Sequence, residues 1–168
     1  SRDCTLYRDS DGTAYFLSAA RENYDLILYK LTDDYLDVKE QLLTLWPGGH
    51  REAPAIVKRG KYYFLMTSGC TGWAPNQGKY AYAKSLTGPW SELKNIGDNV
   101  TFDTQSTFIV PVEGKKQTSY LYIGDRWDGR RYFNSKYIFF PLSFPNDTTM
   151  ELHNVEKVKI DVKAGKIN

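Results

Sequence analysis

The sequence repeats one unit three times, and this repeat constrains the fold more than any other feature. Each unit opens with a hairpin, in which a short run of strand-forming residues leads through a tight turn to a returning run. The hairpins begin near residues 4, 54 and 106, roughly fifty residues apart. Their turns carry residues typical of hairpins: Asp11-Gly12, Arg59-Gly60-Lys61 and Glu113-Gly114-Lys115-Lys116.

A second pair of strands is predicted after each hairpin. The third strands are expected at residues 26–30, 80–83 and 137–140, and the fourth at 35–38, at Trp90 and at 150–152. Residues 36–45 also have the spacing of one or two amphipathic helical turns, but they stand where the outermost strand of the first unit belongs. A four-stranded unit that recurs about every 40–50 residues predicts an all-β protein built from β-propeller blades.

The repeats divide the chain into residues 1–48, 49–100 and 101–168. The alternative all-β fold, a β-sandwich, offers no reason for such a period. Because propeller rings contain at least four blades, three repeats predict part of a ring whose other blades are missing. The remaining blades would come from further chain, from a partner chain or from another copy.

Composition and charge narrow the classes of partner. Aromatic residues make up 15% of the chain, which favours strands and supplies rings that stack on sugars. The net charge of +2 is too small to indicate nucleic acid or an anionic membrane as the partner. We find no apolar run of transmembrane length. No cluster of histidine, cysteine and carboxylate residues has metal-ligand spacing, so no cofactor is predicted.

One position of the repeat carries a polar residue in every unit. When the units are aligned on their second strands, Asp3, Glu52 and Gln105 all stand just before the first strand. The innermost strand of each blade lines the axis of a propeller, so these three residues are expected to converge at one mouth of the channel. Glu52 is expected on the last loop residues before its strand, because Pro54 favours extended geometry at Ala53.

Antiparallel pairing brings the end of each second strand to the same mouth. The loops there supply hydrogen-bonding groups and two indoles. These candidate binding residues are Asn23, Thr71, Trp73, Arg126 and Trp127. This mixture suits a small polar ligand with apolar faces, such as a pyranose.

Carboxyl groups at such a pocket suit glycoside hydrolysis, in which one group protonates the leaving oxygen. Glu52 is the better candidate acid, and a negative charge on Asp3 would raise its pKa. Gln105 fits the role of base poorly, because a neutral amide is barely basic. The alternative is that the two carboxylates merely form ion pairs with arginine, the candidates being Arg2, Arg51 and Arg126.

Four motifs surround the candidate site: Ser1-Arg2-Asp3, His50-Arg51-Glu52-Ala53-Pro54, Thr67-Ser68-Gly69-Cys70-Thr71-Gly72-Trp73-Ala74-Pro75-Asn76 and Asp103-Thr104-Gln105-Ser106-Thr107. Together they resemble glycoside hydrolase family 43, and more narrowly its exo-β-1,3-galactanase branch. The resemblance extends through nearly the whole chain. It implies a five-bladed propeller, of which this chain is the C-terminal part, and an inverting hydrolase that releases galactose from the non-reducing end of β-1,3-galactan.

The resemblance also implies roles for individual residues. Glu52 would be the general acid, Asp3 would tune and orient it, Gln105 would occupy the base side, and Thr71 would contact the terminal galactose. Two further interpretations stay open: a non-catalytic carbohydrate-binding fragment, and a set of blades that only mediates assembly. Only the enzyme requires Glu52 to be a carboxylic acid.

Two observations concern the cellular compartment. Asn99-Val100-Thr101 and Asn146-Asp147-Thr148 match the acceptor pattern for N-glycosylation, which together with the resemblance predicts a secreted protein. Cys4 and Cys70 permit one disulfide but do not require it. The sequence leaves open whether Cys4 and Cys70 form a disulfide or stay as free thiols.

Overall fold

The computed structural model describes residues 2–168, which form three four-stranded antiparallel sheets and one two-stranded hairpin. Ser1, which opens the first motif, lies outside the described residues. The first sheet contains β1 (Cys4–Arg8), β2 (Ala14–Ala20), β3 (Asp25–Leu31) and β4 (Val38–Leu45). The second contains β5 (Arg51–Arg59), β6 (Tyr62–Gly69), β7 (Lys79–Ala83) and β8 (Lys94–Asn95). The third contains β9 (Gln105–Glu113), β10 (Thr118–Arg126), β11 (Lys136–Asn146) and β12 (Thr149–Leu152), and the hairpin contains β13 (Ile160–Asp161) and β14 (Lys166–Ile167).

Each large sheet is a meander, with its strands side by side in chain order. The first strands of the three sheets are neighbours, since β5 contacts both β1 and β9. Among residues 2–168 the only helical turn is a short 3-10 turn at Tyr132–Asn134. No helix in this part of the chain is therefore long and apolar enough to cross a membrane.

The second sheet is buried on both faces because it lies between the other two. Side chains of β5 alternate between two cores, as the period of two in a strand requires. Ile56 packs with the first sheet, whereas Ala55 and Val57 pack with the third. One core contains Leu17, Leu26, Leu28, Tyr63 and Leu65, and the other contains Phe64, Met66, Ile109, Tyr122 and Phe140. This succession of three sheets differs from a β-sandwich, which has two.

Two of the predicted fourth strands lie elsewhere. The first sheet ends with β4 at Val38–Leu45 and not at 35–38, because the loop before it is closed by a hydrogen bond from Thr32 N to Asp37 O at 2.9 Å. In the second sheet the fourth strand is the two-residue β8 and not the segment at Trp90. The Trp90 indole instead donates to Leu86 O at 3.0 Å and packs against Trp46 between the sheets.

The prediction for Ala53 is also wrong. Its φ angle is 50°, in the left-handed region, and the pairing of β5 with β6 shifts between Glu52 and Ala55. This shift is a β-bulge, and bulges re-aim the side chains beside them. The Ser106 hydroxyl donates to the carbonyl oxygen of Ala53 at 2.6 Å and so ties the bulge to the third sheet. Glu52 consequently lies within β5, as its second residue, and not in the preceding loop.

The C-terminal hairpin was not predicted from the sequence. It packs on the turn that joins β9 to β10, at the opposite end of β9 from Gln105, and Lys115 N donates to Lys163 O at 2.9 Å. The two segments approach so closely that a Cβ atom on Gly114 would lie 1.9 Å from Gly165 N. Only glycine fits this contact.

Candidate active site

Glu52 lies where the three first strands meet, and its carboxylate is held by two side-chain amides. Asn23 Nδ2 donates to Oε2 at 2.7 Å, and Gln105 Nε2 donates to Oε1 at 3.1 Å. These partners come from the first and third sheets, so all three sheets contribute to the arrangement. The side chain is largely buried, with 9% of its residue surface exposed. The predicted convergence of Glu52 and Gln105 is thus seen directly.

Glu52 forms no ion pair with arginine among residues 2–168. The charge of Arg2 acts on it and lowers its pKa, but less than burial and Asp3 raise it. The neighbouring Arg51 is buried and donates instead to Thr67, from Nε to Oγ1 at 3.0 Å and from Nη2 to the carbonyl oxygen at 2.7 Å. Burial lowers the pKa of Arg51 to about 10. Glu52 therefore forms no ion pair with Arg2, Arg51 or Arg126, the three arginines of the alternative.

The pKa of Glu52 is raised above its ordinary value, mainly because burial removes water from the charged form. The negative charge of Asp3 raises it further, whereas a hydrogen bond from Gln105 opposes the shift. Asp3 lies just before β1, and its carbonyl oxygen accepts from Ala19 N at 2.8 Å. A carboxyl group that keeps its proton to higher pH is suited to act as a general acid.

The amide of Gln105 is oriented by three partners. Besides Glu52, its Nε2 donates to Ser68 Oγ at 2.9 Å, and its Oε1 accepts from Trp127 Nε1 at 2.8 Å. The NH₂ group must therefore face the carboxylate, since the indole can only donate. A cavity opens beside this amide, and its lining includes Ser68, Trp73, Asp125 and Trp127.

Asp125 is a residue that the site prediction missed. It pairs with Gln105 across β9 and β10, which places both side chains on the same face of the sheet. Burial raises the pKa of Asp125, and the charge of Asp3 adds to the shift. The aligned loops already contained the signal, because Asp125 directly precedes the candidates Arg126 and Trp127.

The loop after β6 carries Thr71 and Trp73 and is closed on itself. The Thr71 hydroxyl donates to Ala74 O at 2.6 Å and accepts from Asn76 Nδ2 at 2.7 Å. Asn76 Oδ1 also accepts from Gly69 N at 2.8 Å. Thr71 thus helps to shape the loop, while the Trp73 ring is exposed and packs edge-on against Trp127, with 5.5 Å between ring centroids.

Arg126 does not face the cavity. Its guanidinium donates to Phe102 O at 2.8 Å and to Asp103 O at 3.1 Å. Thr101, Phe102 and Asp103 all have φ angles between 54° and 61°, a run that non-glycine residues rarely adopt. Arg126 therefore holds the strained turn that leads into Gln105.

Both cysteines are free in the structure. Cys70 Sγ lies 3.2 Å from His50 O, and burial together with the charge of Glu52 raises the pKa of its thiol to about 11. Cys4 is exposed. Within residues 2–168 no group of three or more histidine, cysteine or carboxylate side chains is arranged to hold a metal ion.

Residues 2–132 match Glycosyl hydrolases family 43. The chain belongs to this family. The chain is 30% identical over 92 residues to a β-D-galactofuranosidase of Aspergillus niger, and this stretch covers 53% of this chain and 26% of that protein.

Solved structures agree with the family assignment. The chain superposes on an exo-β-1,3-galactanase from Clostridium thermocellum with a TM-score of 0.97 and 52% identity, covering 99% of this chain and 37% of that one. It superposes on an exo-β-1,3-galactanase from Phanerochaete chrysosporium, solved with β-1,3-galactotriose, with a TM-score of 0.91 and 34% identity, covering 99% and 39%.

The family 43 neighbours are β-propellers, which confirms that the three large sheets are propeller blades. The chain spans well under half the length of these relatives. Asp3, Glu52 and Gln105 each stand at or next to the start of the first strand of a blade.

Proposed function

We propose that this chain supplies three blades and the general acid of an exo-acting glycoside hydrolase, which releases galactose from the non-reducing end of β-1,3-galactan. The carboxylic acid of Glu52 would donate its proton to the glycosidic oxygen while the bond to the anomeric carbon breaks. In an inverting enzyme, water attacks that carbon from the opposite face and gives its proton to a base, with ~6.5–9.5 Å between the two groups.

One observation carries the proposal. Glu52 is buried, unpaired with any cation among the described residues, and has a raised pKa, in a chain 52% identical to an exo-β-1,3-galactanase. A purely structural carboxylate is normally paired when it is buried, because an unpaired buried charge destabilises the fold. Asp3 would tune the acid, and Gln105, whose Nε2 donates to Glu52 Oε1 at 3.1 Å, would position it.

We also propose that further blades complete the ring. The chain covers 37% of the Clostridium thermocellum enzyme, and strand β11 exposes large apolar side chains, with Tyr137 67% and Phe139 47% exposed. An additional blade beside the third sheet would cover them. Polymeric galactan cannot cross a membrane, so the same proposal makes the protein extracellular, in keeping with its two acceptor patterns for N-glycosylation.

A chimera provides the decisive test. This chain would replace the segment of the Clostridium thermocellum enzyme on which it superposes, so that the rest of that enzyme supplies any missing blades. We expect the chimera to release galactose from β-1,3-galactan with inversion, followed by ¹H NMR of the anomeric proton. Glu52→Gln keeps the shape of the side chain but removes the acid, and should lower turnover by about 10²–10⁴-fold.

An activated galactoside separates proton donation from positioning. Its leaving group needs no proton, so the Glu52→Gln chimera should retain most of its rate on this substrate. Equal losses on both substrates would show that Glu52 only orients the sugar. A chimera that binds galactose but turns over neither substrate, with Glu52 intact, would instead favour the carbohydrate-binding alternative.

A further inference from the structure

Four aromatic side chains form a continuous surface beside the cavity, which we call the aromatic platform: Trp73, Trp127, Tyr132 and Phe133. The rings of Trp127 and Tyr132 are stacked, with centroids 5.8 Å apart and planes 16° apart. Trp73 lies edge-on to both, at 5.5 Å from Trp127 and 6.0 Å from Tyr132. Phe133 extends the row, 6.0 Å from Tyr132.

Two loops from different blades build the platform, and their backbones are shaped to do so. A Cβ atom on Gly129 would lie 2.8 Å from Trp73 Cβ, so the absence of a side chain lets the loop after β10 sit against the indole. The Asp128 carboxylate accepts from Arg130 N at 3.0 Å and from Arg131 N at 2.9 Å, which holds the chain that leads into the 3-10 turn.

The platform is unusually exposed for such large apolar rings. Phe133 is 99% exposed, and Trp73 and Tyr132 are each 56% exposed. Adjoining exposed rings of this kind mark interaction sites more often than isolated surface residues do. The platform is also continuous with the candidate active site, because Trp73 and Trp127 line the cavity beside Gln105.

We propose that the aromatic platform binds the second and third galactose units of the substrate, on the leaving-group side of the bond that Glu52 acts on. This inference rests on the proposed function. Gln105 contacts Glu52, Trp127 contacts Gln105, and Tyr132 stacks on Trp127, so sugar units that extend outward from Glu52 along this row would meet the platform. Each β-galactopyranose has an apolar face of C–H groups that stacks on an aromatic ring, while its hydroxyls remain in water.

The position of the Trp127 side chain supports this direction of binding. Trp127 contacts both the inner and the outer region: its Nε1–H donates to Gln105 Oε1 at 2.8 Å, while its ring stacks on Tyr132. The indole thus joins the group next to Glu52 to the exposed end of the platform. Tyr132 and Phe133, which the sequence did not indicate as binding residues, become the outermost contacts.

Binding to the 168-residue chain tests the proposal, because every platform residue belongs to it. Titration with β-1,3-galactotriose, followed by tryptophan fluorescence, should show saturable binding that galactose at the same concentrations does not reproduce. Tyr132→Ala should weaken trisaccharide binding by about 10-fold, the effect of losing one well-placed aromatic contact. Leu36→Ala, at an exposed residue of the β3–β4 loop, is the matched control and should change the affinity by less than about 2-fold.

The same variants in the chimera distinguish this proposal from the proposed function. Phe133→Ala and Tyr132→Ala should raise KM for the trisaccharide, whereas Leu36→Ala should leave it unchanged. If the chimera hydrolyses β-1,3-galactan but the two platform variants do not raise this KM, the platform inference is wrong and the proposed function stands. Failure of the trisaccharide to bind the chain would also overturn the inference. So would a loss of affinity in Leu36→Ala as large as that in Tyr132→Ala.

Discussion

Asn23 donates its Nδ2–H to Glu52 Oε2 at 2.7 Å, while its own Oδ1 is buried and accepts no hydrogen bond from residues 2–168. A buried acceptor without a partner destabilises a fold by about 1–3 kcal/mol. Rotation of the amide by half a turn would direct Oδ1 at Glu52, where it could accept the proton of a carboxylic acid. The Asn23 amide can therefore serve both protonation states of Glu52, donating to the carboxylate and accepting from the acid.

The backbone of Asn23 leads to the first prediction. Its φ angle of 65° lies in the left-handed region, which glycine tolerates and alanine does not. Asn23→Ala and Asn23→Gly remove the same hydrogen bond, but the alanine variant should be less stable by about 1 kcal/mol because of its backbone strain. Urea unfolding of the two variants measures the difference. Equal stabilities would show that the turn relaxes.

The raised pKa of Glu52 predicts how stability depends on pH. A carboxyl whose pKa is raised on folding stabilises the protein fully below its ordinary pKa of 4.5, and this contribution is lost as the pH rises through the folded-state value. The stability of Glu52→Gln relative to the native chain should therefore increase as the pH rises through this window. Thermal unfolding between about pH 4 and about pH 8 checks the trend. Glu40→Gln, in the exposed part of β4, controls for removal of one carboxylate.

Asp3 should influence two carboxyl groups at once. Its negative charge contributes to the raised pKa of both Glu52 and Asp125, after burial in each case. Asp3→Asn should therefore lower both pKa values, while burial keeps them above their ordinary values. ¹³C NMR titration of the side-chain carboxyls measures both groups in one experiment. If the pKa of Glu52 falls but that of Asp125 does not, Asp3 does not lie close to both groups as it does in this structure.

Arg126 should stabilise the turn before Gln105. Its guanidinium donates to Phe102 O and Asp103 O, so Arg126→Ala should leave both carbonyls without this partner. We expect faster amide hydrogen exchange at residues 101–103, as in segments that open locally. Arg130→Ala, in the exposed loop after β10, is the control. If Arg126 instead binds substrate, the exchange rates would not change and galactotriose affinity would fall.

The apolar face of β11 predicts self-association of the isolated chain. Tyr137 and Phe139 are both substantially exposed on this strand, and a patch of this kind promotes association in water. Light scattering should show concentration-dependent oligomers, which the double variant Tyr137→Lys, Phe139→Lys should reduce. Leu36→Lys changes an apolar residue of a loop that is even more exposed, and it should have little effect. A native chain that stays monomeric would contradict the proposed incomplete ring.

Much of the fold and part of the site follow from local sequence patterns. Alternating apolar residues and Gly-containing turns depend only on neighbours along the chain, so the three hairpins and the period of the blades were predictable. The period then placed Glu52 and Gln105 at equivalent positions, and the structure brings them within hydrogen-bonding distance, 3.1 Å apart. Asn23 donates to the same carboxylate, although the sequence did not indicate Glu52 as its partner.

The tertiary structure decided the features that depend on contacts between blades. Ala53 adopts the left-handed conformation, and its carbonyl oxygen accepts a hydrogen bond from Ser106 of another sheet. The two residues are far apart in the sequence, so local patterns do not indicate this contact. Arg126 faces a strained turn and not the cavity because Phe102 and Asp103 direct their carbonyls towards it. Sequence alone therefore determined which strands form and which residues share a blade position, since these are short-range properties. The direction of each side chain, and with it the raised pKa of Glu52, depended on burial between blades that only folding creates.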